Sequence, residues 1–384
     1  MNDIITNYYD SICQEWGYTP TETICSGYES VLPRLKELSK TAWDNADEQG
    51  RQQIQDEVYD IYRSIGIVPV VYYNLQGCQE LITELTDKKK SVEDYKLNVG
   101  NNEGLTLSRF WFPNMQDAKW NDNDTVSLRS RFNHDNKLKR AIKLCYQHRD
   151  DGDEIVIPKN LRRALELVNG GTIQNFKPMN ARAIWEYICP VWGGNVLDFS
   201  SGYGGRMLGA MTSRMRYHYT GIDPNTKTYN GLVALGELIQ DTLSTGYEMH
   251  HIGSEDFVPE TNGFYDAAFS SPPYFNLETY CDEPTQCMNR YTNLDLWFEG
   301  YVEPTLRMLH KSLANDGIYA VNIADYRNAK EDFKIVDYWI SLSEKMGFRY
   351  QHKVDMLLNV RPGVGNGKKD KAFKAEGIYI FKKC

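Results

Sequence analysis

The C-terminal half of the chain alternates short apolar segments with longer segments in which apolar residues recur every three or four positions. The short segments are typical of buried strands, and the longer ones have the periodicity of helices that bury one face. Such an alternation predicts a parallel sheet with helices on both faces. Strands are predicted at 195–199, 217–223, 266–269, 318–323, 348–359 and 377–381.

The last two predicted strands flank a Gly- and Lys-rich loop at 361–371, which indicates an antiparallel hairpin at one edge of the sheet. In the N-terminal part, the segments 29–38 and 48–65 carry apolar residues at helical spacing, so this region is predicted to be mainly helical. An acidic turn at 150–154 predicts a boundary there. We therefore expect a helical accessory region at 1–155 and an α/β domain at 156–384.

The composition narrows the class of protein. The 384 residues are 41% hydrophobic and carry a net charge of −9, so we expect a full core and no coating of nucleic acid by bulk electrostatics. The eight cysteines form no C-x-x-C pair and no zinc-type cluster, which indicates reduced thiols and no metal site. No leader-like N-terminus or membrane-length apolar run is present, so a soluble, cytoplasmic protein is expected.

A basic segment at 127–149 is the best candidate for a phosphate-facing surface, because it carries seven basic residues against one acid, Asp135. The alternative is a solvated helix face. The loop at 361–371 could also touch phosphates, or could simply be disordered. The residues predicted to contact nucleic acid are Arg129, Arg131, Lys137, Lys139, Arg140, Lys368 and Lys369.

A glycine-rich loop, Asp198-Phe199-Ser200-Ser201-Gly202-Tyr203-Gly204-Gly205-Arg206, follows the first predicted strand of the α/β domain. Its glycines let the backbone approach a ligand closely. The pattern is not G-x-G-x-x-G, which argues against a pyrophosphate, and a carboxylate at Asp198 suits an ammonium group instead.

Further acids lie at the ends of the next strands. Asp223 is placed where a carboxylate can accept both hydroxyls of a ribose, although a helix cap or turn residue is the alternative. Glu255 and Asp256 could bind an adenine edge or could form a capping turn.

The tetrapeptide Ser271-Pro272-Pro273-Tyr274 follows the strand predicted at 266–269. Two prolines fix the backbone and remove two N–H donors, which leaves rigid carbonyls free to accept. With an aromatic ring next to them, a planar ring that bears an amine could be bonded along its edge and stacked on its face. An ordinary proline turn is the alternative.

Together these elements resemble S-adenosylmethionine-dependent methyltransferases of the class I fold, and among them the DNA methyltransferases that act on exocyclic amines. The segment Phe176-Lys177-Pro178-Met179-Asn180, the helix after it and the glycine loop resemble that family's cofactor site, and Ser-Pro-Pro-Tyr resembles its catalytic tetrapeptide. The resemblance covers residues 175–384. It implies a Rossmann-like, mostly parallel sheet with S-adenosylmethionine at the strand ends.

The resemblance also implies roles for individual residues. The cofactor-binding set is Phe176, Lys177, Asp198, Ser200, Gly202, Gly204, Asp223, Glu255 and Asp256, and the catalytic set is Ser271, Pro272, Pro273 and Tyr274. The serine in the tetrapeptide favours cytosine N4 slightly over adenine N6. Two features depart from the family pattern: Ser200-Ser201 in place of a Pro-Phe type sequence, and the additional Gly205-Arg206.

The implied partner is DNA, with a base flipped out of the duplex or already single-stranded, and an endonuclease of a restriction-modification system is a further possible partner. No separate recognition domain follows the catalytic half, so recognition would fall to residues 1–170 and to the insert at 275–296. The same tetrapeptide suits an RNA base or a protein glutamine amide. An inactive module that binds the cofactor and nucleic acid is the alternative from another class.

Overall fold

The computed structural model describes residues 3–17, 28–98, 100, 102–120, 127–147, 154–168, 173–190, 192–327, 332–357 and 375–384. The helices are α1 (Asp3–Glu15), α2 (Tyr28–Glu37), α3 (Lys40–Asn45), α4 (Glu48–Ile65), α5 (Leu75–Asp87), α6 (Leu105–Trp111), α7 (Leu128–Asn133), α8 (Asp135–Gln147), α9 (Pro158–Leu167), α10 (Pro178–Ile188), α11 (Gly205–Met211), α12 (Thr226–Leu243), α13 (Cys287–Arg290), α14 (Leu294–Trp297), α15 (Glu303–Ser312) and α16 (Val336–Lys345).

The strands are β1 (Lys96–Asn98), β2 (Lys119–Trp120), β3 (Asn195–Asp198), β4 (His218–Ile222), β5 (Tyr247–His250), β6 (Tyr265–Ser270), β7 (Glu278–Thr279), β8 (Leu313–Ile323), β9 (Tyr326–Arg327), β10 (Asp332–Phe333), β11 (Phe348–Leu357) and β12 (Ala375–Lys383). A 3-10 helix at Pro113–Gln116 and a π-helix at Phe298–Val302 complete the elements.

The chain forms two compact units, each built from separate stretches of sequence. The helical unit comprises Met1–Asn74, Arg109–Gln174 and Glu278–Tyr280, and the sheet unit comprises Leu75–Ser108, Asn175–Leu277 and Cys281–Cys384. The units therefore interleave along the chain, whereas the sequence pattern predicts one boundary after residue 155.

Helix α4 shows how the helical unit is built. The Asp47 side chain caps its first turn by accepting from Gly50 N at 2.8 Å, and Gly66 ends it with a φ of 75°. Its buried residues Val58 and Tyr62 lie four positions apart on one face, and the Tyr62 hydroxyl donates to the Val156 carbonyl at 2.6 Å. The predicted helical character of the N-terminal region is confirmed.

The sheet unit is organised around eight strands in the order β1-β11-β12-β8-β6-β3-β4-β5. Strands β8, β6, β3, β4 and β5 run parallel to one another, and β12 pairs antiparallel with both β8 and β11. This order confirms the predicted α/β fold class, a mostly parallel sheet with a C-terminal antiparallel hairpin.

The core of the sheet unit explains why its central strands are almost continuously apolar. In β6, residues 267–269 are fully buried because helices cover both faces of the sheet. The Phe269 ring meets the rings of Phe176 and Trp185 edge to face, each at a centroid distance of 5.3 Å. This packing fixes α10 against the centre of the sheet. Among the helices of the described residues, none is long and apolar enough to cross a membrane.

Candidate functional site

The carboxyl ends of three neighbouring strands carry the residues singled out from the sequence. Asp198 ends β3, Asp223 follows β4, and Ser271 follows β6. Strand β3 pairs in parallel with both β4 and β6, so the three positions lie along one edge of the sheet. In open α/β sheets this edge is where ligands bind.

Asp198 is fully buried and is bonded on both of its carboxylate oxygens. Oδ2 accepts from Arg206 Nε and from the Tyr219 hydroxyl, each at 2.9 Å, while Oδ1 accepts from the Ser270 hydroxyl at 2.8 Å and Ser200 N at 3.4 Å. These four contacts use the acceptor positions of the carboxylate. Asp198 therefore holds the loop and the strand ends together, and Arg206 takes the place of the ammonium group expected from the sequence.

The glycine loop turns in the way that its composition predicts. Gly202 and Gly204 have φ angles of 57° and 72°, in the left-handed region that favours glycine. A Cβ at Gly205 would overlap the Phe176 carbonyl oxygen, so glycine is required for the close approach of these two segments. A Cβ at Gly202 would be in ordinary van der Waals contact with Arg206 Nη2 at 3.9 Å, so at this position the left-handed φ, and not a clash, favours glycine.

Asp223 is buried and faces the glycine loop. Its Oδ2 accepts from Gly202 N at 2.8 Å and its Oδ1 accepts from Asn225 N at 3.0 Å. Burial raises the pKa of Asp223 to about 7, because the loss of hydration outweighs the two backbone N–H groups and the positive charge of Arg206, and the charge of Asp198 raises it further. Each oxygen retains a lone pair that can accept one more hydrogen bond.

Glu255 and Asp256 lie close together and share one cation, Arg290. Arg290 Nη1 lies 2.9 Å from Glu255 Oε1, and it also pairs with Asp256 Oδ2. The Glu255 side chain is 2% exposed, and burial raises its pKa to about 7 despite this partner. Arg290 belongs to the insert at 275–296, which is expected to take part in recognition. Its ion pairs therefore connect the insert to Glu255 and Asp256.

Ser200 connects the glycine loop to the π-helix. Its hydroxyl donates to the Phe199 carbonyl at 2.7 Å and lies 3.0 Å from the hydroxyl of Tyr301, a buried residue of the π-helix. Turns of π-helix occur frequently at functional sites because they reposition single side chains. Here the turn brings the Tyr301 hydroxyl to the loop.

The proline tetrapeptide is joined to both neighbouring strands. Ser270, directly before it, donates to Asp198 and lies 3.2 Å from the Ser200 carbonyl. On the other side, the Ser271 hydroxyl donates to Asn322 Oδ1 at 3.2 Å. The Tyr274 hydroxyl lies 3.1 Å from the Asn322 carbonyl and 2.8 Å from Glu376 Oε1. Pro272 is buried and Pro273 is half-buried.

The remaining cofactor candidates flank the glycine loop. The Phe176 ring packs on Phe269 and lies 5.9 Å from the Arg206 guanidinium carbon. Lys177 is the N-cap residue of α10. The structure therefore brings the predicted cofactor residues and the tetrapeptide together within the sheet unit.

Five of the predicted nucleic-acid residues, Arg129, Arg131, Lys137, Lys139 and Arg140, belong to the helical unit and differ in exposure. Arg129 pairs with Asp117 at 2.6 Å and with Glu15 at 3.2 Å, and Lys139 pairs with Asp56 at 2.8 Å. Arg131 is 1% exposed and donates to the carbonyls of Leu165 and Glu166, so its guanidinium does not face solvent. Arg140 is exposed and Lys137 is half-buried. Lys368 and Lys369 lie outside the described residues.

Several residues of the site were not singled out from the sequence, namely Tyr219, Arg290, Tyr301, Asn322 and Glu376. For Asn322 a signal existed, since it is a polar residue inside a predicted apolar strand. The others have no local signature, because their partners are distant in sequence. Within the described ranges, no group of three or more His, Cys, Asp or Glu side chains could hold a metal ion.

No protein-family model and no curated protein matches the chain. It is similar to the solved structure of a TehB-like SAM-dependent methyltransferase from Corynebacterium glutamicum, with 12% identity over 55% of this chain and 90% of that chain and a TM-score of 0.33. A methyltransferase from Pyrococcus furiosus gives 14% identity over 58% and 93% of the two chains and a TM-score of 0.35. A third, 1,6-didemethyltoxoflavin-N1-methyltransferase from Burkholderia thailandensis with bound S-adenosylhomocysteine, gives 12% identity over 54% and 77% and a TM-score of 0.36. Because these TM-scores are low, the fold of this chain rests on its own strand order.

Proposed function

We propose that this chain is a DNA methyltransferase that transfers a methyl group from S-adenosylmethionine to an exocyclic amine of a base. The observation that carries the proposal is the hydrogen-bonded link between the two parts of the site, in which Ser270 donates to Asp198 and lies beside the Ser200 carbonyl. This link holds the proline tetrapeptide next to the glycine loop. A methyl donor bound at the loop would then lie beside an amine bound at the tetrapeptide.

The described residues fit S-adenosylmethionine. Asp223 presents two oxygens, each already oriented by a backbone N–H group and each with capacity for one ribose hydroxyl. Gly202 and Gly204 have no side chain that would keep a ligand away from the backbone of the loop. Glu255 is a buried carboxylate that can accept from the amino group of an adenine. The methionine part would be held by Phe176, Lys177, Ser200, Gly202 and Gly204, and the adenine by Glu255 and Asp256.

S-adenosylmethionine supplies a methyl group made electrophilic by the sulfonium. The chain has to improve a weak nucleophile, because the lone pair of an exocyclic amine is delocalised into the base. Ser271 Oγ and the Pro272 carbonyl accept the two N–H bonds of the amine, which favours a pyramidal nitrogen with an available lone pair. As the N–C bond forms and the S–CH3 bond breaks, releasing S-adenosylhomocysteine, the two oxygens would stabilise the positive charge on the nitrogen. The methylated ammonium would then lose its extra proton to water. Tyr274 stacks on the base, and this positioning supplies much of the rate.

The proposed acceptor base is one that has left the duplex, since the amine must reach a half-buried tetrapeptide. We favour cytosine N4 slightly over adenine N6, because the tetrapeptide begins with Ser271. The proposed basic contacts to phosphate are restricted to residues whose side chains are exposed. Arg140 is the best of these, whereas Arg131 serves the interior of the helical unit.

The test is transfer of a labelled methyl group from S-adenosylmethionine to three acceptors, namely DNA copied in vitro and therefore free of methylated bases, total RNA, and a protein extract. We expect label in DNA, with nucleoside mass spectrometry identifying N4-methylcytosine or N6-methyladenine. Ser271→Ala should abolish most transfer. Ser64→Ala is the matched control, because that exposed hydroxyl donates to the Ile61 carbonyl of its own helix, in the helical unit.

Label in RNA or protein alone would overturn the choice of DNA while leaving a methyltransferase. Cofactor binding without transfer to any acceptor would instead support an inactive recognition module.

A further inference from the structure

One buried residue of β8, Asn322, contacts both ends of the tetrapeptide. It is 3% exposed, its side chain accepts from Ser271, and its backbone carbonyl lies 3.1 Å from the Tyr274 hydroxyl. Its neighbours in the strand, Val321 and Ile323, are apolar and buried. Burying an amide in such a strand costs free energy unless its polar atoms are hydrogen-bonded. The two hydrogen bonds of the Asn322 side chain offset this cost, and the presence of an amide at this position requires an explanation.

The directions of these two bonds follow from the chemistry of the partners. Asn322 Nδ2 lies 3.1 Å from the Gly377 carbonyl of β12. A carbonyl only accepts, so the amide nitrogen has to face Gly377 and the amide oxygen has to face Ser271. An amide oxygen cannot donate, and the Ser271 hydroxyl therefore directs its proton to Asn322.

We propose that Asn322 is a positioning residue that makes Ser271 an obligate acceptor. This inference rests on the proposed function. A serine hydroxyl free to rotate can donate its proton to the lone pair of the target amine, and that lone pair is the one needed for attack on the methyl group. With its proton held by Asn322, the hydroxyl presents only lone pairs to the amine, so the N–H of the amine is accepted and the nitrogen lone pair stays available.

A double-mutant cycle tests the assignment on the transfer of labelled methyl groups to unmethylated DNA. We expect Asn322→Ala to lower kcat about tenfold, the worth of one oriented hydrogen bond, with KM for DNA and the Kd of S-adenosylhomocysteine changed by less than about twofold. In a Ser271→Ala background, the same substitution should change kcat by less than about twofold, because the hydroxyl that it positions is gone.

Two further variants separate positioning from folding. Asn322→Ser keeps a group that can both accept and donate, so we expect kcat between those of Asn322→Ala and the unsubstituted chain. If Asn322→Ala does not fold, Asn322→Ser replaces it in the double-mutant cycle with Ser271→Ala. Asn160→Ala is the matched control, since Asn160 is a buried amide of the helical unit that donates to the Glu154 carbonyl at 2.5 Å, and it should leave kcat unchanged.

Additive effects of the substitutions at Asn322 and Ser271 would overturn the inference, and so would an effect confined to KM. A serine variant no more active than the alanine variant, both being folded, would overturn it as well. Absence of transfer by the unsubstituted chain would instead refute the proposed function.

Discussion

The proposed binding of a ribose at Asp223 should depend on pH through the ionisation of this carboxyl. Burial raises the pKa of Asp223 to about 7, and the charged groups that affect it, Asp198 and Arg206, are themselves paired with each other. A ribose diol donates two hydroxyl protons, so it needs the ionised carboxylate with its remaining lone pairs. The protonated form would direct a proton at one of these hydroxyls. Ligand binding and proton binding therefore compete.

The size of the effect follows from the pKa. With a pKa of about 7, about one tenth of the molecules are ionised at pH 6 and about nine tenths at pH 8. A ligand that binds only the ionised form should therefore bind about tenfold more weakly at pH 6 than at pH 8, equivalent to about 1.4 kcal/mol. Glu255 has a pKa of about 7 as well and could add its own dependence.

The measurement is isothermal titration with 5′-methylthioadenosine, which has the ribose and adenine but no group that titrates between pH 6 and pH 8. Glu255→Gln is the background, so that Asp223 is the carboxyl with a raised pKa that remains in the site. We expect a tenfold change in Kd in that background and a flat profile once Asp223→Asn is added. A flat profile with Asp223 intact, or tighter binding at pH 6, would refute the reasoning.

Substitutions at the glycine loop and at the tetrapeptide should each have a distinct, measurable effect. Arg206→Met should destabilise the fold by about 3–5 kcal/mol in denaturant unfolding, because it leaves the buried carboxylate of Asp198 without its cation; a change below about 1 kcal/mol would contradict this role. Gly205→Ala should lower the free energy of unfolding by about 3 kcal/mol, because the added methyl group would overlap the backbone of Phe176. Gly193→Ala should lower it by only about 1–2 kcal/mol, because a Cβ there has nothing within 4 Å and only the left-handed φ is unfavourable for alanine. Tyr274→Phe should lower kcat for DNA a few-fold by freeing the ring from its two hydroxyl contacts, and Tyr274→Ala should lower it about a hundredfold by removing the stacking surface; equal losses would show that stacking is not the role of the ring.

The periodicity of the sequence predicts the fold well where strands are long and buried. The strands at 195–199, 217–223, 266–269 and 318–323 correspond to β3, β4, β6 and β8, because helices on both faces leave most residues of each strand buried. Strands β1 and β5 were not predicted. In β1 only Leu97 is buried, and the four residues of β5 are half-buried or exposed at the sheet edge, so neither has a recognisable pattern.

The arrangement of the candidate site follows from the sequence where its parts are contiguous motifs. The glycine loop, Asp223 and Ser-Pro-Pro-Tyr are contiguous motifs at strand ends, and parallel strands bring such ends to one edge. Asn322 and Glu376 contact the tetrapeptide across 51 and 102 residues of sequence. The register of β8 and β12 determines which residues contact the tetrapeptide, and the sequence pattern alone does not specify that register. The density of basic residues likewise does not show which side chains face solvent. Arg131 lies in the basic segment, but it is buried and donates to the carbonyls of Leu165 and Glu166.

The two buried carboxyls of the site have a consequence for stability as well as for binding. Asp223 and Glu255 both have a pKa of about 7, above the values of 3.8 and 4.5 that they have outside the fold. Their protonated forms therefore stabilise the fold fully below about pH 4, and this contribution is lost as the pH rises through about 7. A ligand that supplies hydrogen-bond donors to the ionised carboxylates would offset the loss. The rise in melting temperature on adding 5′-methylthioadenosine should consequently be larger at pH 8 than at pH 6, because the ligand would offset the cost of the two buried charges only where both carboxyls are ionised.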